Sequence, residues 1–268
     1  MAILGGELGY RVLCVISPGE PKGMGGGAYA GISKLEKLFG PDLWEEVRGN
    51  VIIDFGCGTG SESIELAQRG CRHVYGVDIS ERMLAVARRR AEEGGCTNVT
   101  FLLAPSESAD IIISVDAFEH FAEPAAILVA MSAALKPDGR VLACFGPTWY
   151  HPRGGHLFSV FPWAHLIFSE KSLCHWRSHL RSDGARRFAD VEGGLNQMTI
   201  SRFEKLVDAS PFEIENLEPI PIRHTRTLHC RLTREFLTAV VRCRLRLKAP
   251  RRDFKAPAES VPLATPAP

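Results

Sequence analysis

The segment Val51-Ile-Ile-Asp54-Phe-Gly56-Cys57-Gly58-Thr59-Gly60-Ser61 limits the possible folds more than any other part of the chain. An apolar run of strand character enters three glycines at alternate positions, and the pattern beyond Ser61 is helical. Glycines let the backbone turn sharply there and approach a ligand, while the helix N-terminus behind them offers unpaired N–H groups. Further apolar runs suited to buried parallel strands lie at 74–78, 99–103, 111–115 and 140–145. Helical patterns over 61–69, 81–93 and 124–135 separate them. This alternation predicts right-handed crossovers and a parallel sheet covered on both faces.

The chain has 268 residues, 45% of them hydrophobic and 24% charged, enough to build a core and to exclude a wholly disordered polypeptide. The length suits one large domain, or one domain with an elaborated insertion. A short helix is expected at 32–48, broken near Pro41. After the fifth strand the rhythm breaks: residues 147–198 are rich in Gly, His, Trp, Phe and Arg. They are expected to form an insertion over the open end of the sheet, partly helical at 162–180. A helix at 199–209, a strand at 212–221, a connector with a short helix at 223–238 and a last strand at 239–247 follow. The expected organisation is a flexible N-terminal segment over 1–31, a domain over 32–248 with a substrate lid near 147–198, and a disordered tail over 249–268.

Eight cysteines are scattered without any C-x-x-C pair, which argues for reduced thiols in a cytoplasmic protein rather than a disulfide or zinc scaffold. No run approaches the roughly 20 apolar residues of a membrane-spanning helix. The N-terminus lacks a basic region and a clean small-residue cleavage site, so no signal peptide is expected. The net charge of +1 conceals an asymmetry. Residues 1–140 carry 13 Lys/Arg and 19 Asp/Glu, residues 141–268 carry 19 and 12, and 223–252 hold ten Lys/Arg against Glu235 alone. That stretch suits an anionic substrate, a membrane surface, nucleic acid, or simply a solvated face.

Asp78 closes the second expected strand, 18 residues beyond the glycine turn, where a carboxylate can hydrogen-bond two ribose hydroxyls. The combination signifies adenosine binding. The glycine spacing departs from the dinucleotide pattern G-x-G-x-x-G, and Asp54 beside the turn would repel a pyrophosphate but attract a cationic amine. S-adenosyl-L-methionine is therefore favoured over NAD.

The motifs D-x-G-x-G-x-G at 54–60, V-D-I-S-x-x-M at 77–83 and I-I-S-V-D-A-F-E-H-F at 112–121 resemble class I S-adenosylmethionine-dependent methyltransferases, in the branch that includes ubiquinone- and menaquinone-biosynthesis enzymes. The likeness is specific over about 29–146 and general over 199–247. It implies a Rossmann-like, seven-stranded, mostly parallel α/β sheet with an antiparallel last strand, helices on both faces and a lid insertion after strand 5. It further implies that Asp54, Gly56, Cys57, Gly58, Thr59 and Gly60 hold the methionine moiety, that Asp78 binds the ribose, and that Ile79 and Met83 sandwich the adenine. Core packing is the alternative for the last two. The end of the fourth strand, with Asp116, Phe118 and His120, would line the sulfonium, while Asp116 and Glu119 could equally cap the next helix or face solvent. The small-acidic pair usual after the third strand is replaced by Ala104-Pro105-Ser106-Glu107, so the adenine contact would fall to Ser106 or Glu107, or be lost.

Methyl transfer needs an aligned nucleophile and, for some acceptors, a base. His120 is the first candidate base, with a packed histidine contacting the cofactor as its alternative. His151 and His156 in the insertion are the further candidates. The spacing of His151 and His156 suits a helix-face metal pair poorly, and no metal is expected. The insertion's aromatics and Arg153 fit a lid with apolar walls and a few polar anchors. The expected acceptor is a small or lipid-like molecule with an O, N or C nucleophile. Nucleic acid is not the expected partner, and peripheral membrane contact stays open. The alternatives are a non-catalytic methyltransferase-like partner subunit, RNA methylation, or an NAD-dependent reductase that the glycine spacing disfavours.

Overall fold

The computed structural model describes residues 3–17, 32–158, 161–181, 184–191 and 194–249. Residues 18–31 of the expected flexible N-terminal segment and all but the first residue of the expected tail lie outside these.

In chain order the helices are α1 (Gly6–Ile16), α2 (Lys34–Phe39), α3 (Leu43–Val47), α4 (Ser61–Gln68), α5 (Glu81–Glu93), α6 (Pro124–Ala133), α7 (Ala164–Ile167), α8 (Glu170–Arg177), α9 (Ile200–Asp208) and α10 (Arg234–Leu237). The strands are β1 (Val51–Phe55), β2 (His73–Val77), β3 (Val99–Leu102), β4 (Ala109–Val115), β5 (Leu135–Phe145), β6 (Phe212–Pro221) and β7 (Thr238–Leu247). They form one seven-stranded sheet in the order β3-β2-β1-β4-β5-β7-β6. β1 to β5 pair in parallel, and β7 runs antiparallel to both β5 and β6. This is the expected architecture, down to the antiparallel last strand.

Burial on both faces of the sheet explains why the strands read as apolar runs rather than as strict alternations. Ile53, Ile112, Val141 and Phe145 face one layer, packed with Leu128 and Met131 of α6 and Phe203 and Val207 of α9. Ile52, Ile111, Ile113 and Leu142 face the other, packed with Leu66 of α4 and with Leu35, Leu38, Leu43 and Val47 of α2 and α3. Each fully buried Leu, Ile or Phe contributes about 1.5–3 kcal/mol relative to exposure. Helix starts follow local chemistry: the Ser33, Ser80, Ser169 and Thr199 side chains each accept a backbone N–H from the first turn of α2, α5, α8 and α9.

The expectation of a flexible N-terminal segment is corrected over its described part. Residues 6–16 form α1, whose Leu13 is buried with Phe158, Phe168, Leu173, Trp176 and Phe188 in a second small core. Tyr10 stacks on His175 with ring centroids 3.9 Å apart, and Trp176 Nε1 donates to the Ser17 carbonyl at 2.8 Å. The insertion after β5 and the N-terminal helix thus make one unit.

Candidate functional site at the carboxyl edge of the sheet

β1, β2 and β4 are parallel and adjacent, so their carboxyl ends gather at one edge, where open α/β sheets place ligands. The turn after β1 takes left-handed backbone at all three glycines. At Gly60 (φ +76°) a Cβ would meet the Phe101 ring at 2.7 Å and Ala87 at 2.9 Å, so α4 can begin against α5 and β3 only with glycine there. At Gly58 (φ +51°) a Cβ would meet nothing within 4 Å, so its backbone faces open space and remains approachable.

Asp78 fixes that turn. Gly58 N–H donates to its Oδ2 at 2.9 Å and Ser80 N–H to its Oδ1 at 2.8 Å. Each oxygen keeps a further lone pair, as a partner for two hydroxyls must. Thr59 accepts from the Arg90 guanidinium through both its carbonyl and its hydroxyl, at 2.9 Å each, which ties the turn to α5. Cys57 directs its thiol inward among Leu84, Ala87 and Phe101, leaving only its backbone on the turn, and burial pushes the thiol pKa up. Ile79 is 84% exposed directly after β2, which removes core packing as its explanation. Met83 is half-buried on the first turn of α5. Ser106 is exposed on the link between β3 and β4, and Leu103 beside it is 52% exposed.

Asp54 lies beneath the turn, 2% exposed, and accepts the Ser63 hydroxyl at 2.6 Å. Burial, and next the charge of Glu62, push its carboxyl up to about 7 against the opposing Ser63 hydrogen bond. Above it the Lys34 ammonium bridges Glu62 at 3.1 Å and Asp116 at 2.9 Å. Burial alone would lower the Lys34 pKa, but the two carboxylates outweigh it and hold the ammonium well above its ordinary range. Asp116 occupies left-handed backbone (φ +50°) at the end of β4, a conformation that only a few per cent of non-glycine residues adopt.

Beyond Asp116 the chain turns back, and Phe118, expected to line the sulfonium, points its ring into the core. It is fully buried, its ring packed on Phe121, Phe145 and Phe203, so it supports the turn from below and cannot touch a cofactor. The insertion grips the same turn. Asn196 donates to the Phe118 and Phe121 carbonyls at 2.6 and 2.8 Å, and its N–H donates to the Glu119 carbonyl at 3.0 Å.

His120 Nδ1 lies 2.7 Å from the Gly194 carbonyl. A carbonyl only accepts, so Nδ1 carries a hydrogen, and in the neutral tautomer that this bond selects the lone pair lies on Nε2. The His120 and His156 rings are 5.2 Å apart. Glu119 is 3% exposed; its Oε1 accepts the Gly146 N–H at 2.9 Å, while its Oε2 and His156 Nδ1 are buried without a hydrogen-bond partner. Glu119, His120 and His156 each offer one ligand atom, all within 4.8 Å of one another, and so make the donor set that could hold a metal ion. Burial, and then Asp116, push the Glu119 carboxyl up to about 8, while burial and the neighbouring imidazoles, His120 foremost, push His156 down to about 4. His151 is also held near 4 by burial and Arg153; its Nδ1 accepts the Arg153 N–H at 2.9 Å, which turns it to a structural task within the insertion.

Sequence reasoning therefore named His120 and His156, which the structure brings together, but missed Lys34 and the burial of Glu119. Both depend on long-range contacts that no local spacing announces.

Comparison with known proteins fits this geometry. Residues 46–146 match the family model described as a methyltransferase domain. The chain is 36% identical over 104 residues to the ubiquinone biosynthesis O-methyltransferase of Neisseria meningitidis serogroup C, covering 36% of this chain and 44% of that protein. It is 39% identical over 101 residues to the protein of the same name from Leptothrix cholodnii, covering 35% and 43%. The chain thus spans under half the length of these two curated relatives. A structure titled as a putative S-adenosylmethionine-dependent methyltransferase from Listeria monocytogenes superposes with a TM-score of 0.52 at 17% identity, over 81% of this chain and 97% of that one. Residues 46–146 thus match a methyltransferase domain, and the seven-stranded sheet has the fold of the S-adenosylmethionine-dependent methyltransferase structure it superposes on.

Proposed function

We propose that this chain transfers a methyl group from S-adenosyl-L-methionine to a nucleophile of a small or lipid-like molecule, with a hydroxyl as the preferred acceptor. The observation that carries the reading is the open backbone at Gly58 braced by Asp78, with the exposed Ile79 side chain beside it. Those features suit, in turn, a methionine tail, a ribose and an adenine face. The name shared by the two relatives supports oxygen as the atom methylated.

When bound, the cofactor supplies a methyl group on a positive sulfur, already activated for in-line displacement. The chain's own work is to align the acceptor and take its proton. Glu62 and Asp116 supply negative charge around the turn, and Lys34 balances it between them. Glu119 keeps its proton near neutral pH while His156 lacks one, a pairing that suits transfer of a hydroxyl proton. His120 Nε2 is the second acceptor within reach of the same place. The insertion with α1 provides the aromatic wall that excludes water. Eight cysteines outside any disulfide support a reducing, cytoplasmic setting.

The partner-subunit reading is not favoured, because the glycine turn and its acidic partners are intact. Calorimetric titration with S-adenosylhomocysteine tests the cofactor assignment; absence of binding would remove it. Incubating a cell extract with the protein and deuteromethyl cofactor, then searching by mass spectrometry for products that exchanged H for CD3, tests the acceptor class.

A further inference from the structure

The basic stretch over 223–252 divides in two in the folded chain. On β7, Arg242 pairs with Glu218, Arg244 with Glu46 and Arg246 with Glu213, while Lys248 donates to the Asp208 and Ser210 carbonyls. Those charges are neutralised within the fold. The connector between β6 and β7 is different. Arg234 is held by Glu204, and Glu235 accepts the Ile200 and Ser201 N–H groups. Arg223, Arg226 and Arg231 are exposed, and among the described residues no ion pair holds them. The same connector exposes Leu228 (65%), Leu232 (89%) and Phe236 (44%).

These side chains are displayed rather than loose. The connector is closed by Ile222 N–H donating to the Leu237 carbonyl at 2.8 Å and by His229 bonded to the Thr238 hydroxyl at 2.9 Å. Phe236 stacks near Tyr150, at the start of the insertion, with ring centroids 5.3 Å apart. The connector therefore lies at the same carboxyl edge as the candidate site. Beneath Arg231 and Leu232 runs an open groove of about 560 Å³ reaching Lys205 on α9. Of the acidic residues that line it, Glu204 and Glu235 are engaged as described, leaving Asp208 as the remaining carboxylate.

We propose that this connector is a docking surface for an anionic lipid bilayer, which brings the mouth of the site to the membrane–water interface. Exposed leucines interleaved with arginines match an interface in which apolar side chains enter the acyl boundary and guanidiniums meet phosphates. The charge argues against a neutral bilayer. The aromatic ring on this surface, Phe236, is already packed against Tyr150, and the side chains that stand furthest out are the aliphatic Leu228 and Leu232, which argues against the aromatic platforms of single-stranded RNA recognition.

Flotation of the full chain with vesicles tests the proposal without cofactor or acceptor, so its failure leaves the methyltransferase reading standing. The expected result is binding to phosphatidylcholine vesicles containing phosphatidylglycerol, weak binding to phosphatidylcholine alone, and release by high salt. Arg223→Gln/Arg226→Gln/Arg231→Gln is expected to weaken the anionic-vesicle affinity at least about tenfold. Leu228→Ser/Leu232→Ser is expected to leave some salt-sensitive attraction while preventing stable flotation. Circular dichroism and homocysteine-cofactor affinity confirm that both variants stay folded. Failure of the wild-type chain to float with anionic vesicles, equal flotation of both variants, or binding to homopolymeric RNA in place of vesicles would each overturn it.

Discussion

The Lys34 ammonium, carried on the first turn of α2, sits 2.9 Å from the Asp116 carboxylate at the tip of β4. It also reaches Glu62 on α4, so one cation joins three elements around the glycine turn. Lys34→Met would leave two carboxylates facing each other, with buried Asp54 and Glu119 close behind. The side chain is a quarter exposed, which places the cost between that of a surface pair and a buried one. The expected loss is about 1–2 kcal/mol, read as a lower urea midpoint with an unchanged slope. Adding Asp116→Asn should recover part of it. A fully additive double variant would show that the pair is not coupled.

Asp54 makes stability depend on pH. Its folded-state pKa of about 7 exceeds the ordinary carboxylate value, so between the two the folded chain holds a proton that the unfolded chain has released. Its contribution to stability is therefore full in acid, falls as pH rises through that window, and is flat above about 7. Asp54→Asn removes this residue's share of the dependence while Glu119 keeps its own, so the variant should gain about 2 kcal/mol on the wild type between about pH 5 and about pH 8. Urea midpoints at the two pH values measure this. A constant difference would mean that Asp54 is ionised throughout.

The sheet was legible because each of its central strands is buried on both faces and therefore apolar throughout, and because Pro, Gly and capping residues punctuate the rest. The second to fifth strands and the last differ from expectation at their ends, most of all β5, which begins at Leu135 where the sequence pattern still read as helix. The glycine turn with Asp78 was legible for a different reason: backbone geometry there admits few residues. What could not be read is telling. α1 was missed because its buried face is completed only by the distant insertion, where Leu13 packs on Phe158, Phe168 and Leu173, while Leu8 and Val15 stay exposed. Phe118 looked like a site residue because it lies within the motif at 112–121, yet φ +50° at Asp116 redirects the chain and sends its ring into the core. Lys34 met its partners only after folding brought α2, α4 and β4 together.

The glycines of the turn should separate stability from binding. Gly60→Ala drives a methyl group into Phe101 and Ala87 and keeps an unfavourable left-handed φ, for an expected loss of about 2–4 kcal/mol. Gly58→Ala has room for its methyl group and incurs only the backbone term, about 1–2 kcal/mol. Its methyl group, however, occupies the face proposed for the cofactor. Urea unfolding alongside calorimetric titration with S-adenosylhomocysteine should thus find the larger stability loss in the first variant and the larger affinity loss per unit of stability in the second. The opposite order would mean that the ligand approaches from elsewhere.

His156 provides the sharpest test of the chemistry. Burial and neighbouring imidazoles hold it neutral down to about pH 4, with Nδ1 unpartnered beside the Glu119 carboxyl. A base of this kind stays available across the range in which an ordinary imidazole would already be protonated. If His156 takes the acceptor's proton, kcat should hold its value below about pH 6 and decline only towards about pH 4. His156→Ala should lower kcat by about 10²–10⁴ while leaving S-adenosylhomocysteine affinity unchanged. His120→Ala should act on the same step, and the double variant should cost little more than the worse single one, because groups that handle one proton as a unit are not additive. A decline near the usual imidazole pKa, or two fully additive losses, would assign the proton to another group.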